Sequence, residues 1–493
     1  MFDQSTVIGV CGAGAMGAGI AQVAAQAGHK VIVYDRDEAA LANGRGAVEK
    51  GAQALLKRGK LDATGAKELT GRIVWTLTIA DMAPAGLVIE AIVEKQEAKA
   101  SLFRQLEEVL APDAVLATNT SSLPVTLLAA ALSRPARFLG LHFFNPAPVM
   151  KLVEVVSGAA TDPELANAAA SLMDGWGKEA VAVRDVPGFI VNRVARPFYG
   201  EGWRALEEGV ADAATIDFLF RDLAGFRMGP LELGDLIGHD VNYAVARSVY
   251  DAYFGRTRFV PSLGQGQLVA AGKLGRKTGA GVYNYGADAL TPAPRLSSLA
   301  EAKPLTINLG RDADSLKALL DAAGAAYGAD KTIPAGFASV GGVLVGFSEG
   351  WTAGAFAHDF GRPVALLDWM RDPAAASAIA FAASDAEARA AALAFASACG
   401  RKAVELKDRP GLVVLRALLQ LANAAGDAVR DQAADADGID KAMRFGANYP
   451  FGPLEWLKEY GAARAARALD AIAEETGDAM YFAGEQIREA ARR

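Results

Sequence analysis

Apolar residues in the first 190 positions fall in short blocks separated by longer amphipathic stretches. Thr6 to Cys11, Lys30 to Tyr34, Ile73 to Trp75, Leu87 to Glu90, Ala114 to Thr118 and Phe138 to Leu141 are strand-length apolar runs, as expected of strands covered on both faces. Helical periodicity fills the intervals, first at Met16 to Ala27. This alternation predicts parallel strands joined by right-handed crossovers, hence an α/β fold of the Rossmann-type doubly wound class. Asp37 to about Lys57 reads as one long helix leading into Lys57, Arg58 and Lys60, and is expected to project beyond the sheet. Leu152 to Val156 and Ala180 to Val183 complete a domain of this class over residues 1–186.

From Asp185-Val186-Pro187-Gly188 to about Gly272 the period is helical, which predicts an all-α domain over 187–288. Gly286 to Pro304 carries three prolines and no apolar periodicity, so a linker is expected at 289–304. Beyond it the helical pattern recurs at a constant offset of 223 residues. Pro187-Gly188 returns as Pro410-Gly411, Arg193 as Arg416, Asp217 as Asp440, and Gly229-Pro230-Leu231-Glu232 as Gly452-Pro453-Leu454-Glu455. A second copy of the all-α domain is therefore expected at 409–493. Residues 305–408 keep strand-like pieces, Pro304 to Leu309 and Pro363 to Asp368, without a Gly-rich loop, and read as a degenerate α/β segment.

Composition narrows the function. With 52% hydrophobic and 22% charged residues the chain is globular. A net charge of −7 without a basic run disfavours a nucleic-acid partner. The longest apolar stretches, such as Phe337 to Phe347, fall short of the roughly 18 residues of a membrane span. Cys11 and Cys399 are the only cysteines, too few and too far apart for a disulfide framework or a metal site. A cytoplasmic location fits, and a first strand beginning at Thr6 leaves no room for a cleavable targeting segment.

Candidate chemistry begins at Gly12-Ala13-Gly14-Ala15-Met16-Gly17, between the first strand and a helix. Gly12 permits the tight turn, Gly14 lets the backbone approach a pyrophosphate, and Gly17 lets helix and strand pack closely. Asp35 ends the second strand, where a carboxylate accepts hydrogen bonds from both hydroxyls of an adenosine ribose. NAD is the expected cofactor; Arg36 leaves open a 2′-phosphate. Asn119, Ser121 and neighbouring hydroxyls follow the fifth strand at the sheet's carboxyl edge, and His142 and Glu154 lie on separate strand-like pieces. A His oriented by a carboxylate is suited to take a hydroxyl proton while hydride leaves the same carbon. Each of these residues has a plainer reading: a satisfied core His, a paired carboxylate, ordinary turn residues.

Gly12 to Gln22, Glu90-Ala-Ile-Val-Glu94, Asn119-Thr-Ser-Ser, His142-Phe-Phe-Asn-Pro, Lys151-Leu-Val-Glu154, Asp185-Val-Pro-Gly-Phe-Ile-Val-Asn192-Arg and Lys277-Thr-Gly-Ala-Gly-Val-Tyr resemble, in order, the L-3-hydroxyacyl-CoA dehydrogenase family. The resemblance covers roughly the first 280 residues. It implies a catalytic pair at His142 and Glu154, with Ser121 and Asn192 touching substrate in a cleft between domains. It also implies cofactor contacts from Ala15, Met16, Ala91, Glu94, Lys99, Asn119, Ser121, Asn145 and Lys277. Lys57, Arg58 and Lys60 either meet coenzyme A phosphates or form a solvated helix end. The second helical copy has Leu415 where the first has Asn192 and is expected to be catalytically silent.

Two-copy chains of this kind resemble bacterial enzymes of phenylacetate breakdown, which implies oxidation of a (3S)-3-hydroxyacyl-CoA such as 3-hydroxyadipyl-CoA or 3-hydroxybutyryl-CoA. The fused copy can replace a dimer partner, giving a monomeric pseudo-dimer or a homo-oligomer. A free 3-hydroxy acid as substrate, or a non-catalytic NAD- or CoA-binding scaffold, are the competing expectations.

Overall fold

The computed structural model describes residues 1–286, 289, 290, 292–299 and 305–492. They form two compact units: Met1–Arg193 with Asp431–Ala447, and Val194–Arg430 with Asn448–Arg493.

The first unit is built on an eight-stranded sheet. Its strands are β1 (Ile8–Cys11), β2 (Val31–Tyr34), β3 (Ile73–Thr76), β4 (Leu87–Glu90), β5 (Val115–Thr118), β6 (Phe138–Phe143), β7 (Leu152–Ser157) and β8 (Glu179–Arg184). The spatial order is β3-β2-β1-β4-β5-β6-β7-β8. All neighbours run parallel except β6 and β7, which pair antiparallel. β1, β4 and β5 are fully buried, which explains their unbroken apolar runs.

The expected long helix spans Glu38–Lys57, started by Asp37, whose carboxylate accepts from the Ala39 N–H at 2.8 Å. Its buried residues, Leu41, Gly44, Val48 and Ala52, keep helical spacing and stop one turn before the end. Lys57, Arg58 and Lys60 are exposed.

The second unit holds the helices of the first copy, beginning with Arg196–Glu207, and most of those of the second copy, beginning with Val414–Arg430. Between them lies a seven-stranded sheet: β9 (Ile307–Leu309), β10 (Gly328–Ala329), β11 (Phe337–Val340), β12 (Val343–Phe347), β13 (Val364–Leu367), β14 (Ala378–Ala383) and β15 (Lys402–Glu405), in the order β10-β9-β11-β12-β13-β14-β15. The last four strands pair parallel, antiparallel, parallel. That is the pattern of β5 to β8.

Residues 409–493, expected as one domain, are divided. The helix Ala436–Gly446 belongs to the first unit, where the Arg184 N–H donates to the Ala433 carbonyl at 2.8 Å. The same contact recurs 223 residues on, with the copies exchanged: the Lys407 N–H donates to the Val210 carbonyl at 3.2 Å in the second unit. Each sheet edge is thus bound by a segment of the other helical copy, the reciprocal pattern of an isologous interface. Residues 287, 288, 291 and 300–304 of the expected boundary and linker lie outside the described residues. The part described is pinned, with the Ser297 N–H on the Ala403 carbonyl at 2.8 Å and the Arg295 N–H on Thr215 Oγ1 at 2.8 Å.

Candidate active site

The Gly-rich turn is shaped by contact. Gly12 has φ +104°, and a Cβ there would lie 2.6 Å from the Ala91 carbonyl oxygen; one on Gly17 would lie 1.8 Å from the Gly12 oxygen. At Gly14 a Cβ would meet nothing within 4 Å, so open space faces the turn where a pyrophosphate would approach. The helix Ala15–Gln26 starts there with no side-chain cap and no acidic residue in its first turn, so its N–H groups are available to an anion. Met16 stands beside Gly17 in that first turn. Asp35 is half-buried at the end of β2 and binds the turn itself, accepting from the Ala13 N–H at 2.8 Å. Arg36 is exposed. These residues fit the dinucleotide: a bare glycine surface, an uncapped helix start, and a carboxylate at the ribose position.

Beyond β4 and β5 an ion-pair network sets the sheet's carboxyl edge. Glu90 is fully buried and receives the Lys99 ammonium at 2.6 Å, the Ile92 N–H at 2.7 Å and the Thr118 hydroxyl at 2.7 Å. Lys99 also reaches Glu94 at 3.1 Å. Glu94 in turn accepts from the Thr120 hydroxyl at 2.5 Å, the Ser121 N–H at 3.1 Å and the Ser122 hydroxyl at 2.9 Å. Burial pushes the Glu94 carboxyl up, but Lys99 and these donors more than offset it and hold it below the usual range. Lys99, 1% exposed, is therefore a buried counter-ion under the edge, a placement that differs from the cofactor contact expected of it. Asn119 accepts from the Phe143 N–H at 2.8 Å, tying β5 to β6. Ala91 follows β4 above Gly12, and Asn145, beside the cis peptide to Pro146, is exposed.

His142 and Glu154 are direct cross-strand neighbours in the antiparallel pair β6 and β7. His142 Nδ1 lies 2.6 Å from Glu154 Oε2. The other carboxylate oxygen accepts from the Ile190 and Val191 N–H groups at 2.9 and 3.0 Å. Those N–H groups are aimed by the Pro187-Gly188-Phe189 turn, in which Gly188 and Phe189 have φ of +75° and +48°. Successive backbone N–H groups displayed by such a turn form an anion-binding concavity. Glu154 is fully buried and His142 6% exposed, with the Phe144 and Phe189 rings 4.5 and 5.6 Å from the imidazole. The carboxylate fixes the proton on Nδ1, which leaves Nε2 as the acceptor.

Asn192 is half-buried, and its amide donates to the Ser121 carbonyl at 3.4 Å. The resemblance put it on an opposite domain; Glu154 fastens its turn to the sheet, and it falls in the first unit. Lys277 lies in the second unit in an ion pair with Asp240. Lys57, Arg58 and Lys60 form no ion pair among the described residues. The hydroxyls of Thr118 and Thr120, noted in the sequence beside Asn119 and Ser121, donate to Glu90 and Glu94, and the role of Glu90 was missed by sequence reading although it belongs to one of the quoted motifs.

The 3-hydroxyacyl-CoA dehydrogenase NAD-binding domain matches residues 7–186, and the family's C-terminal domain matches twice, at 188–285 and 411–492. A 3-hydroxybutyryl-CoA dehydrogenase reduced Rossmann-fold domain matches residues 345–410. The chain is 41% identical to 3-hydroxyadipyl-CoA dehydrogenase of Escherichia coli K12, covering 98% of this chain and 96% of that one. A crystal structure of an E. coli K12 3-hydroxybutyryl-CoA dehydrogenase superposes with TM-score 0.90 at 40% identity, over 99% of this chain and 98% of that one. A probable 3-hydroxybutyryl-CoA dehydrogenase of Deinococcus radiodurans is 44% identical over 56% of this chain and 99% of its own. The chain therefore belongs to the 3-hydroxyacyl-CoA dehydrogenase family and is an NAD-dependent oxidoreductase that interconverts 3-hydroxyacyl-CoA and 3-oxoacyl-CoA.

Proposed function

We propose that His142 is the general acid–base of this reaction and that the substrate is a short or dicarboxylic (3S)-3-hydroxyacyl-CoA. The observation that carries the assignment is the 2.6 Å contact of His142 Nδ1 with Glu154, whose other oxygen is occupied by two backbone N–H groups. In oxidation His142 Nε2 takes the 3-hydroxyl proton, and Glu154 stabilises the imidazolium that forms; in reduction the imidazolium returns the proton. The nicotinamide, when bound, accepts the hydride from C3. Ser121 hydrogen-bonds the 3-oxygen, and Asn192, placed against the Ser121 backbone, orients the reacting end of the acyl chain. Gly12, Gly14, Ala15, Met16, Gly17 and Asp35 hold the dinucleotide. Ala91, Glu94, Asn119 and Asn145 shape its nicotinamide end, with Lys99 acting through Glu94.

The full-length relatives carry both 3-hydroxyadipyl and 3-hydroxybutyryl in their names, so acyl-chain class is the open variable. We further infer a cytoplasmic monomer in which the helical copies replace a dimer partner, supported by the buried free thiols of Cys11 and Cys399 and by the exchanged contacts at Arg184 and Lys407. NADH oxidation with acetoacetyl-CoA, measured beside NADPH and a His142→Gln variant, tests the assignment. Turnover that prefers NADH and falls about 10² to 10⁴-fold in the variant is expected. Turnover on free 3-oxo acids that equals or exceeds the thioester rate, or a variant of undiminished activity, would overturn it.

A further inference from the structure

The turn that leads into β8 recurs 223 residues on, before β15. Gly177 and Gly400 have φ of +74° and +62°. The Lys178 N–H donates to the Met173 carbonyl at 3.1 Å, and the Arg401 N–H to the Ala396 carbonyl at 3.0 Å. In each copy the cation after the glycine holds two carbonyls of the loop that joins the antiparallel strands. Lys178 Nζ donates to Ala147 and Met150 at 2.5 and 2.8 Å, in the loop between β6 and β7. Arg401 Nη2 donates to Pro373 and Ala374 at 3.0 and 2.9 Å, in the loop between β13 and β14.

Lys178 is 8% exposed and pairs with no carboxylate among the described residues. Burial pushes its ammonium down to about 8, so the loop carbonyls hold the charge at a cost to the fold. The loop needs such a donor, because Pro146 and Pro148 remove two of its own N–H groups.

What the two loops serve differs. Residues 305–408 contain no Gly-x-Gly-x-x-Gly turn. In the first unit the loop packs on the helix Ala15–Gln26, which starts at that turn: a Cβ on Gly19 would lie 3.2 Å from Ala147 Cβ and 3.1 Å from Pro148 Cδ. The dinucleotide fingerprint accounts for Gly12, Gly14 and Gly17 but not for Gly19; the close approach of this loop does. Ala147 is 1% exposed, while Asn145 at the start of the loop is exposed and follows Phe144, whose ring is 4.5 Å from the His142 imidazole.

We propose that Lys178 is a positioning residue for the dinucleotide: through the Ala147 and Met150 carbonyls it seats the loop 145–150 on the helix at Gly19, and so fixes Asn145 and the helix start that meet the cofactor. The proposal rests on the assignment of the Gly12–Gly17 turn to the dinucleotide. Its test is an NADH fluorescence titration beside steady-state kinetics and urea unfolding, in the full chain, Lys178→Met, Lys178→Arg and Arg401→Met. Since a misplacement of about 1 Å costs up to about 10²-fold, a loop loosened by less is expected to raise the Kd of NADH about tenfold in Lys178→Met. The kcat at saturating NADH should stay close to the parent's. Lys178→Arg should recover most of the affinity, because Arg401 does the same work after the same glycine turn. Arg401→Met should lower the urea midpoint as Lys178→Met does and leave the Kd unchanged. An unchanged Kd in a folded Lys178→Met overturns the proposal, as does an equal rise in Arg401→Met, which would make both residues supports of the fold alone. Should Lys178→Met fail to fold, Gly19→Ala displaces the same loop by a few tenths of an ångström; a severalfold rise in Kd is expected there, and an unchanged Kd overturns the proposal. A parent chain that binds no NADH would overturn the dinucleotide assignment as well, an outcome distinct from a loss confined to the variants.

Discussion

The two sheets put the same strand pattern to different use. β8 and β15 are related by the 223-residue offset, and Glu154 opposes Val181 as Ala380 opposes Val404. His142 faces Glu154 across the antiparallel pair; the residue facing Ala380 is Asp368, whose N–H donates to the Ala380 carbonyl at 2.9 Å. The second sheet therefore has Asp where the first has His, and Ala where the first has Glu. A carboxylate is nonetheless present in both, bound to the same backbone. Asp368 accepts from the Val413, Val414 and Leu415 N–H groups at 3.0, 2.8 and 3.0 Å, behind a turn in which Gly411 and Leu412 have φ of +72° and +50°. Satisfying that strained turn needs one carboxylate, and in the second sheet the carboxylate binds that turn and the N–H of its own neighbour Trp369, at 2.8 Å. In the first sheet Glu154 serves the same turn with one oxygen and has the other left for a histidine.

The strongest way to break this comparison is Glu154→Gln. A carboxamide can still accept from one of the turn's N–H groups, but toward His142 it presents an N–H as readily as an oxygen and no longer fixes the proton on Nδ1. Turnover is expected to fall about 10² to 10⁴-fold, the scale of general acid–base assistance, with NADH affinity within about threefold of the parent. Stopped-flow turnover beside an NADH fluorescence titration separates the two quantities. A variant that loses NADH binding in proportion to turnover would mean that Glu154 builds the fold of the site and does not tune the base.

Asp368→Asn sharpens the other side. Asn places an N–H₂ group against backbone donors already pointing at it, and leaving such buried groups unsatisfied costs about 1–3 kcal/mol. Urea unfolding is expected to show that loss in the second unit, with kcat unchanged within twofold. A fall in kcat comparable to that of Glu154→Gln would give the second sheet a part in catalysis and end its description as a structural copy.

The history of these two sheets also explains what could be read from the chain. The first sheet was legible because its strands are buried on both faces and its Gly-rich turn lies in a strand-to-helix setting. The helical copies were legible because Gly229-Pro230-Leu231-Glu232 and its repeat keep one spacing. The sheet repeat was hidden by deletions: Thr118 opposes Gly140 and Gly346 opposes Leu366, so the spacing between copies is 228 residues at β5 and β12 and 226 at β6 and β13. It reaches 223 only from the helices Pro163–Gly175 and Ala386–Ala398 onward. A search at one offset misses this region, and the swap of His142 and Glu154 for Asp368 and Ala380 removes the chemical signal as well. The exchange of residues 431–447 was not legible either, since pairing between copies depends on geometry that periodicity does not encode. Lys99 differs from its expectation for a simpler reason: a lysine in a motif looks the same in sequence whether it faces the open side of a site or is buried against Glu90 and Glu94.

The smallest expected effect concerns equipment found on the first sheet alone. The helix Glu38–Lys57 has 20 residues and ends in Lys57, Arg58 and Lys60, all exposed. The helix that follows β9 in the second sheet, Asp314–Ala323, has 10 and carries no such tip. If the basic tip meets the phosphates of coenzyme A, replacing the three residues by Ala should raise KM for acyl-CoA thioesters by about twofold to tenfold, since exposed ion pairs are worth about 0–1 kcal/mol each. Thioesters of N-acetylcysteamine, which lack those phosphates, should be unaffected, and the difference should shrink as ionic strength rises past about 0.15 M. Measuring KM for both thioester types at two salt concentrations decides the matter. An equal change for both thioesters would make the tip a conformational support, and no change for either would return it to an ordinary solvated helix end, favoured there by its own C-terminal dipole.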